Sequence, residues 1–231
     1  MKHIFQLFFI AASLFCCITT PSELPIRQQA MINHALIEAA KRGNTIQTNS
    51  LLRRKADPNA INTNHNTPLH FASYLGHLNI AQLLVSARAN VNYKNKNSKD
   101  FSFSLLSNEH GGVTPLMLAC SKGNLPMVLY LLEQEADVNA QDDLGQTPLT
   151  YAILINKEWP NKKLTLNQQN IVHALLAHGA NPYIEDDYGL TPLYYYERIA
   201  ELVLSSNKWV AHPEALQQDK LYLEMLHYKA Y

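Results

Sequence analysis

Ten histidines and three cysteines give this chain enough nitrogen and sulfur ligands for a metal site, if their spacing allowed one. It does not: His65 and His70 stand five residues apart, as do His173 and His178. Helical ligand pairs need a spacing of three or four residues for both rings to face one ion. Packing and surface roles therefore account for the histidines, and no metal is expected. Asp142-Asp143 and Glu185-Asp186-Asp187 could serve as paired carboxylates for acid–base work. Nothing around them in the sequence desolvates one member to raise its pKa, so they read as solvated turn tips. Cys120 is the one cysteine outside an N-terminal apolar run, and no base partner is implied for it, so it reads as a buried small residue. No glycine-rich phosphate loop, GxSxG or HExxH occurs. No catalytic residue and no cofactor is expected, and the chain reads as a non-enzyme.

Contact chemistry is what remains, and the elements that would carry it repeat along the chain. In Gly112–Ala140, Thr114 is placed to cap a helix and Pro115 to occupy its first position, where a missing N–H costs nothing. Leu116, Leu118, Ala119 and Cys120 form a short helix with a small-residue side, broken by Gly123. Met127, Val128, Leu131 and Leu132 then recur at helical spacing. Ala136-Asp137-Val138-Asn139 leaves this second helix in turn-forming residues. The unit is helix, turn, helix, projecting turn.

Thr67-Pro68-Leu69, Thr114-Pro115-Leu116, Thr147-Pro148-Leu149 and Thr191-Pro192-Leu193 begin 47, 33 and 44 residues apart. The helix-ending motif keeps step at Ala56-Asp57, Ala89-Asn90, Ala136-Asp137 and Ala180-Asn181. A period near 33 with T-P-L-H-x-A is the signature of ankyrin repeats, and Thr67-Pro68-Leu69-His70-Phe71-Ala72 matches it letter for letter. The chain thus resembles the ankyrin-repeat family over residues 31–231. The resemblance implies an all-α solenoid of about five helix-turn-helix repeats with projecting β-turn hairpins. These fall near 31–62, 63–95, 111–142, 144–185 and 188–231, with insertions at 96–110 and 157–167. The first unit is degenerate, with His34-Ala35-Leu36 where TPL belongs, as suits a terminal repeat.

Two departures from the family pattern stand out. Before Ala-Asp/Asn the family keeps a glycine in the left-handed region; here Lys55, Arg88 and Glu135 fill that place and only Gly179 conforms. The stabilising histidine of the motif survives only at His70, with Met117, Thr150 and Tyr194 in the other units.

The ends and insertions have their own readings. Residues 1–20 read as a secretory signal, because the apolar run from Ile4 to Ile18 is short for a bilayer span. Residues 21–30 read as a linker. The expected location is therefore exported, periplasmic or secreted; the alternative is a membrane anchor formed by residues 4–18. In the first insertion, Phe101-Ser102-Phe103-Ser104-Leu105 alternates like a strand, either folded on itself or offered as an apolar finger. In the second, Trp159 reads as tucked against its own loop, which Leu164 and Leu166 close.

Charge bounds the partner. Lys plus Arg and Asp plus Glu balance at 19 each, without a run of one sign, which argues against nucleic acid or an anionic membrane. Stacked repeats instead offer a concave face to a protein. The resemblance places the contacts on the turn residues before TPL and the exposed pair ending each first helix. These are Thr63, Asn64, Asn66, Tyr74 and Leu75; then His110, Val113, Ser121 and Lys122; then Asp143, Leu144, Gln146, Asp187, Tyr188 and Leu190. Tyr74 and Tyr188 lead the set, since tyrosine gives large contact area at small entropic cost. The expected function is an exported protein-binding module, possible settings including that of a secreted effector, and the expected state is a monomer. The alternatives are an envelope-tethered scaffold or an enzyme regulator.

Overall fold

The TPL threonines set the architecture by starting four helices in register. In the computed structural model, which describes residues 23–96, 111–154, 164–198 and 224–226, nine helices alternate between two rows and a further helical segment covers 224–226. The first row holds α1 (Glu23–Lys41), α3 (Pro68–Leu75), α5 (Pro115–Ser121), α7 (Pro148–Ile153) and α9 (192–198). The second row holds α2 (Thr45–Arg53), α4 (Leu78–Ser86), α6 (Leu125–Glu133) and α8 (Leu166–Ala177). α1, α3, α5 and α7 stack on one another in order, and each of them also packs on the second helix of its own repeat. No strand occurs among the described residues.

Each TPL helix begins as its residues dictate. Thr67, Thr114, Thr147 and Thr191 accept through their hydroxyls from the backbone N–H three residues on, and the proline takes the first turn. Gly43, Gly76 and Gly123 reverse the chain at the helix end with φ of 72°, 79° and 65°. Side chains added to Gly43 or Gly76 would strike the next repeat: a Cβ on Gly76 would lie 2.5 Å from Asn124 Nδ2. Ala39, Ala40, Ala72, Ala119, Cys120 and Ala152 are fully buried between first-row helices, which the small side chains let approach. Leu84, Leu131 and Leu175 fill the space behind them.

The second helices end in left-handed backbone without glycine. Lys55, Arg88 and Glu135 have φ of 64°, 70° and 61°, and Gly179 has 86°. Beside them runs a ladder of amides. Asn59, Asn92 and Asn139 each accept through Oδ1 from a backbone N–H of the following repeat, that of Asn90, Asp137 and Asn181, and Asn33 begins the ladder inside the first repeat by accepting from Asp57 N, all at 2.7–2.9 Å. The amide N–H groups of Asn59, Asn92 and Asn139 donate to the carbonyls of Arg88, Glu135 and Gly179, and Gln29 donates likewise to Lys55. The ladder stops at Tyr183, which stands where the next asparagine belongs. Its hydroxyl donates instead to Leu226 O, in the segment whose Met225 is fully buried.

Two boundaries move from their sequence assignment. Residues 23–30, assigned to a linker, belong to α1, so the terminal unit starts earlier. The second insertion stops short of residue 167, because Thr165 caps α8 with Gln168 answering its backbone N–H. Leu164 is buried, but Leu166 is largely exposed on that helix, which corrects its reading as an inward-facing residue. The signal segment 1–20, the Phe101 alternation, Trp159 and His110 lie outside the described residues.

Candidate protein-binding surface

The projecting turns are built on one repeated device. Asn62, Asp142 and Asp186 each receive two backbone N–H groups of their own turn on a single side-chain oxygen: Asn64 and Asn66, Leu144 and Gln146, Tyr188 and Leu190. Asn95 Oδ1 accepts one such N–H, that of Val113, across the insertion. Backbone bonds then tie each turn to the next, from Lys96 N to Asn64 O, Asp143 N to Gly111 O and Asp187 N to Leu144 O. These contacts hold a row of tips along the molecule, as side-chain to backbone turns of this kind do.

Asp142 and Asp186 are therefore not solvated tips. Both are buried, and their second oxygens accept from Tyr151 and Tyr195 hydroxyls at 2.8 and 2.7 Å. Burial first, and then the adjacent carboxylate, push both phenols well above the ordinary tyrosine range. Asp143 and Asp187 remain exposed, although Asp143 Oδ2 accepts from Gly111 N at 3.0 Å.

The assigned contact residues divide by exposure. Thr63 and Leu75 are open to solvent, as are Lys122, Asp143, Asp187 and Tyr188; Tyr188 is 68% exposed. Asn64, Tyr74, Ser121, Leu144 and Leu190 are half-buried. Asn66, Val113 and Gln146 are interior, which corrects their assignment. Their position before TPL points the side chain between turns: Asn66 Oδ1 accepts from Asn95 Nδ2 at 2.8 Å, and the Val113 carbonyl accepts from the His70 ring. Their side chains present no surface to a partner.

Tyr74, Leu75, Ser121 and Lys122 end two consecutive first-row helices, and the structure joins them. Lys122 Nζ sits 4.1 Å from the Tyr74 ring centroid, a cation–π contact across the repeat boundary. Ser121 donates to Leu118 O, which turns its hydroxyl back toward its own helix. Tyr188 sits apart from this floor, on the tip of the last turn.

Sequence reasoning passed over Lys41. It occupies the position of Tyr74 and Ser121 in the degenerate first unit, two residues before Gly43, and its Nζ lies 5.4 Å from the Phe71 ring centroid. Aligning Ala39-Ala40-Lys41-Arg42-Gly43 with the later helix ends would have found it. Gln141 was also missed; its amide donates to Gly145 O and Glu185 O and braces two tips.

Cys120 is fully buried, and desolvation raises its thiol pKa, so the thiolate a nucleophile needs is disfavoured. No group of three or more histidine, cysteine, aspartate or glutamate side chains is placed to hold a metal among the described residues. No helix among them is long and apolar enough to cross a membrane.

Comparison with known proteins agrees with this architecture. Models of ankyrin repeats match residues 23–95 (three copies), 98–152 (many copies) and 144–187 (a single repeat). The chain is similar to the ankyrin repeat protein YahD of Escherichia coli (strain K12), 30% identical over 194 residues, covering 73% of this chain and 93% of YahD. It is also 30% identical over 160 residues to neurogenic locus notch homolog protein 1 of Homo sapiens, covering 69% of this chain but 5% of that protein. Human ankyrin repeat and SOCS box protein 3 is 27% identical over 187 residues, covering 71% of this chain and 34% of its own length.

Proposed function

The chain belongs to the ankyrin-repeat family, and from that premise we propose that it is an exported protein-interaction module. It binds a protein partner through the row of turn tips and the ends of the first helices, as a monomer and without catalysis. The observation that carries this reading is the outward presentation of large side chains there. Leu75 and Tyr188 are 44% and 68% exposed although the surrounding turns bury their polar groups thoroughly. Exposed tyrosine on a rigid frame loses little entropy on contact, which favours interface use, and Leu75 adds apolar area to it. Export rests on the apolar run from Ile4 to Ile18 and its short basic start.

Two measurements test the reading. The first is affinity capture with the full chain beside a folded Tyr74→Ala/Tyr188→Ala variant, using envelope extract and foreign cell lysate as sources. A protein held by the wild type and lost by the variant supports binding through these contacts; equal retention removes them. The second is the mass of the mature chain after expression in its own cell type. Loss of about the first 20 residues supports a cleaved signal, whereas a chain retaining Met1 in the membrane fraction favours the tether.

A further inference from the structure

Helix α3 carries Phe71 and Tyr74 three residues apart, so both rings lie toward one side of the helix. Each ring receives an ammonium group from a different neighbour. Lys41 comes from α1 in the repeat before, and Lys122 from the end of α5 in the repeat after. Both lysines are exposed, and neither has an ion-pair partner among the described residues. Their neighbour Arg42 is different, because Glu38 lies 3.5 Å away on the same helix and offsets its charge. A lysine stem normally samples many rotamers; one seated on an aromatic ring presents its charge in a narrower range of positions. Leu75, 44% exposed, follows Tyr74 directly and adds apolar area to the same floor. The tips of the last two turns have the opposite sign, with Asp143, Glu185 and Asp187 all exposed.

We propose that the floor across the first three repeats is a subsite for an acidic segment of the protein partner. Its carboxylates meet the Lys41 and Lys122 ammonium groups, and one apolar side chain rests on Tyr74 and Leu75. The acidic tips repel the same segment, which fixes its position toward the N-terminal repeats. This inference rests on the binding reading above and names the chemistry of what is bound. Exposed ion pairs are individually weak, so the charges act chiefly through selection and association rate, and their effect fades with salt.

The test uses the full chain and three fluorescein-labelled peptides that differ only in the residues flanking a central leucine: glutamates, glutamines or lysines. Anisotropy at low ionic strength should show the glutamate peptide binding roughly tenfold tighter than the lysine peptide, with the difference shrinking at high salt. Lys41→Glu/Lys122→Glu should reverse the order, and Lys41→Met/Lys122→Met, which keeps the apolar stems, should abolish it. Thermal melts of each variant establish that it is folded. Equal binding of the three peptides, no binding by any, or an unchanged preference in the folded charge-reversed variant overturns the inference. In each of those cases, loss of a captured partner by Tyr74→Ala/Tyr188→Ala still leaves the broader binding reading standing.

Discussion

His70 Nε2 lies 3.0 Å from the carbonyl oxygen of Val113, 43 residues along the chain, and joins two repeats inside the core. The other ring nitrogen accepts from Thr67 N at 3.2 Å, so Nδ1 is the unprotonated one and Nε2–H donates. A second proton would set Nδ1–H against that N–H.

Burial accordingly lowers the His70 pKa from 6.5 to about 4, despite the opposing pull of its backbone bonds to Val113 and Tyr93. The unfolded chain then binds a proton that the folded chain refuses between these values. The resulting stability is present in full above pH 6.5 and is lost as pH falls toward 4, by up to roughly 3 kcal/mol. His70→Met, which copies Met117, should lower Tm at pH 7.5 but flatten its decline between pH 6.5 and 5. Parallel declines of wild type and variant would show that another group titrates there.

Glu135 has φ of 61° in a place that favours glycine, and its side chain is exposed. The left-handed conformation costs a non-glycine residue roughly 1 kcal/mol, partly offset by the greater freedom glycine gives the unfolded chain. Glu135→Gly should therefore raise the urea midpoint at unchanged m-value, by a shift equivalent to less than about 1 kcal/mol of stability. An unchanged or lower midpoint refutes the strain.

What the sequence made legible is what lies within one repeat. The threonine caps, the helix-breaking glycines and the three strained positions Lys55, Arg88 and Glu135 depend on neighbours a few residues away. Contacts set by the register between repeats were not legible. Asp142 resembles Asp143 in the sequence, yet one is buried beneath a tyrosine hydroxyl and the other faces solvent. Likewise, nothing near Lys122 announces Tyr74, because insertion and period separate them by 48 residues. The interior placement of Asn66, Val113 and Gln146 has the same origin: residues before TPL face the adjoining turn, and only stacking reveals it.

Asn92 offers a direct test of the amide ladder. Its side chain accepts from Asp137 N at 2.7 Å and donates to Glu135 O at 3.3 Å, joining the second repeat to the third. Asn92→Ala removes both bonds at an exposed site, where water replaces them in part. The expected loss is about 1–2 kcal/mol in equilibrium unfolding, with Asn92→Asp losing the donor alone and falling between. A neutral Asn92→Ala would mean that backbone packing, not the ladder, holds this edge.

The Asp142–Tyr151 pair has a counterpart within the same chain. Nine residues separate Asp142 from Tyr151 and Asp186 from Tyr195, and in both cases the hydroxyl donates to the carboxylate. The same separation joins Asn62 to Phe71, where the ring is buried and has no hydroxyl to give. Aspartate thus goes with tyrosine, and asparagine with phenylalanine, because a buried carboxylate oxygen needs a donor that an amide does not. Tyr151→Phe should cost about 1–3 kcal/mol by removing that donor from a buried oxygen. Adding Asp142→Asn should recover most of the loss, since Oδ1 still receives Leu144 N and Gln146 N as Asn62 receives its own turn. Chemical denaturation of the two single variants and the double variant gives the coupling, and strictly additive losses would show that the two side chains act independently.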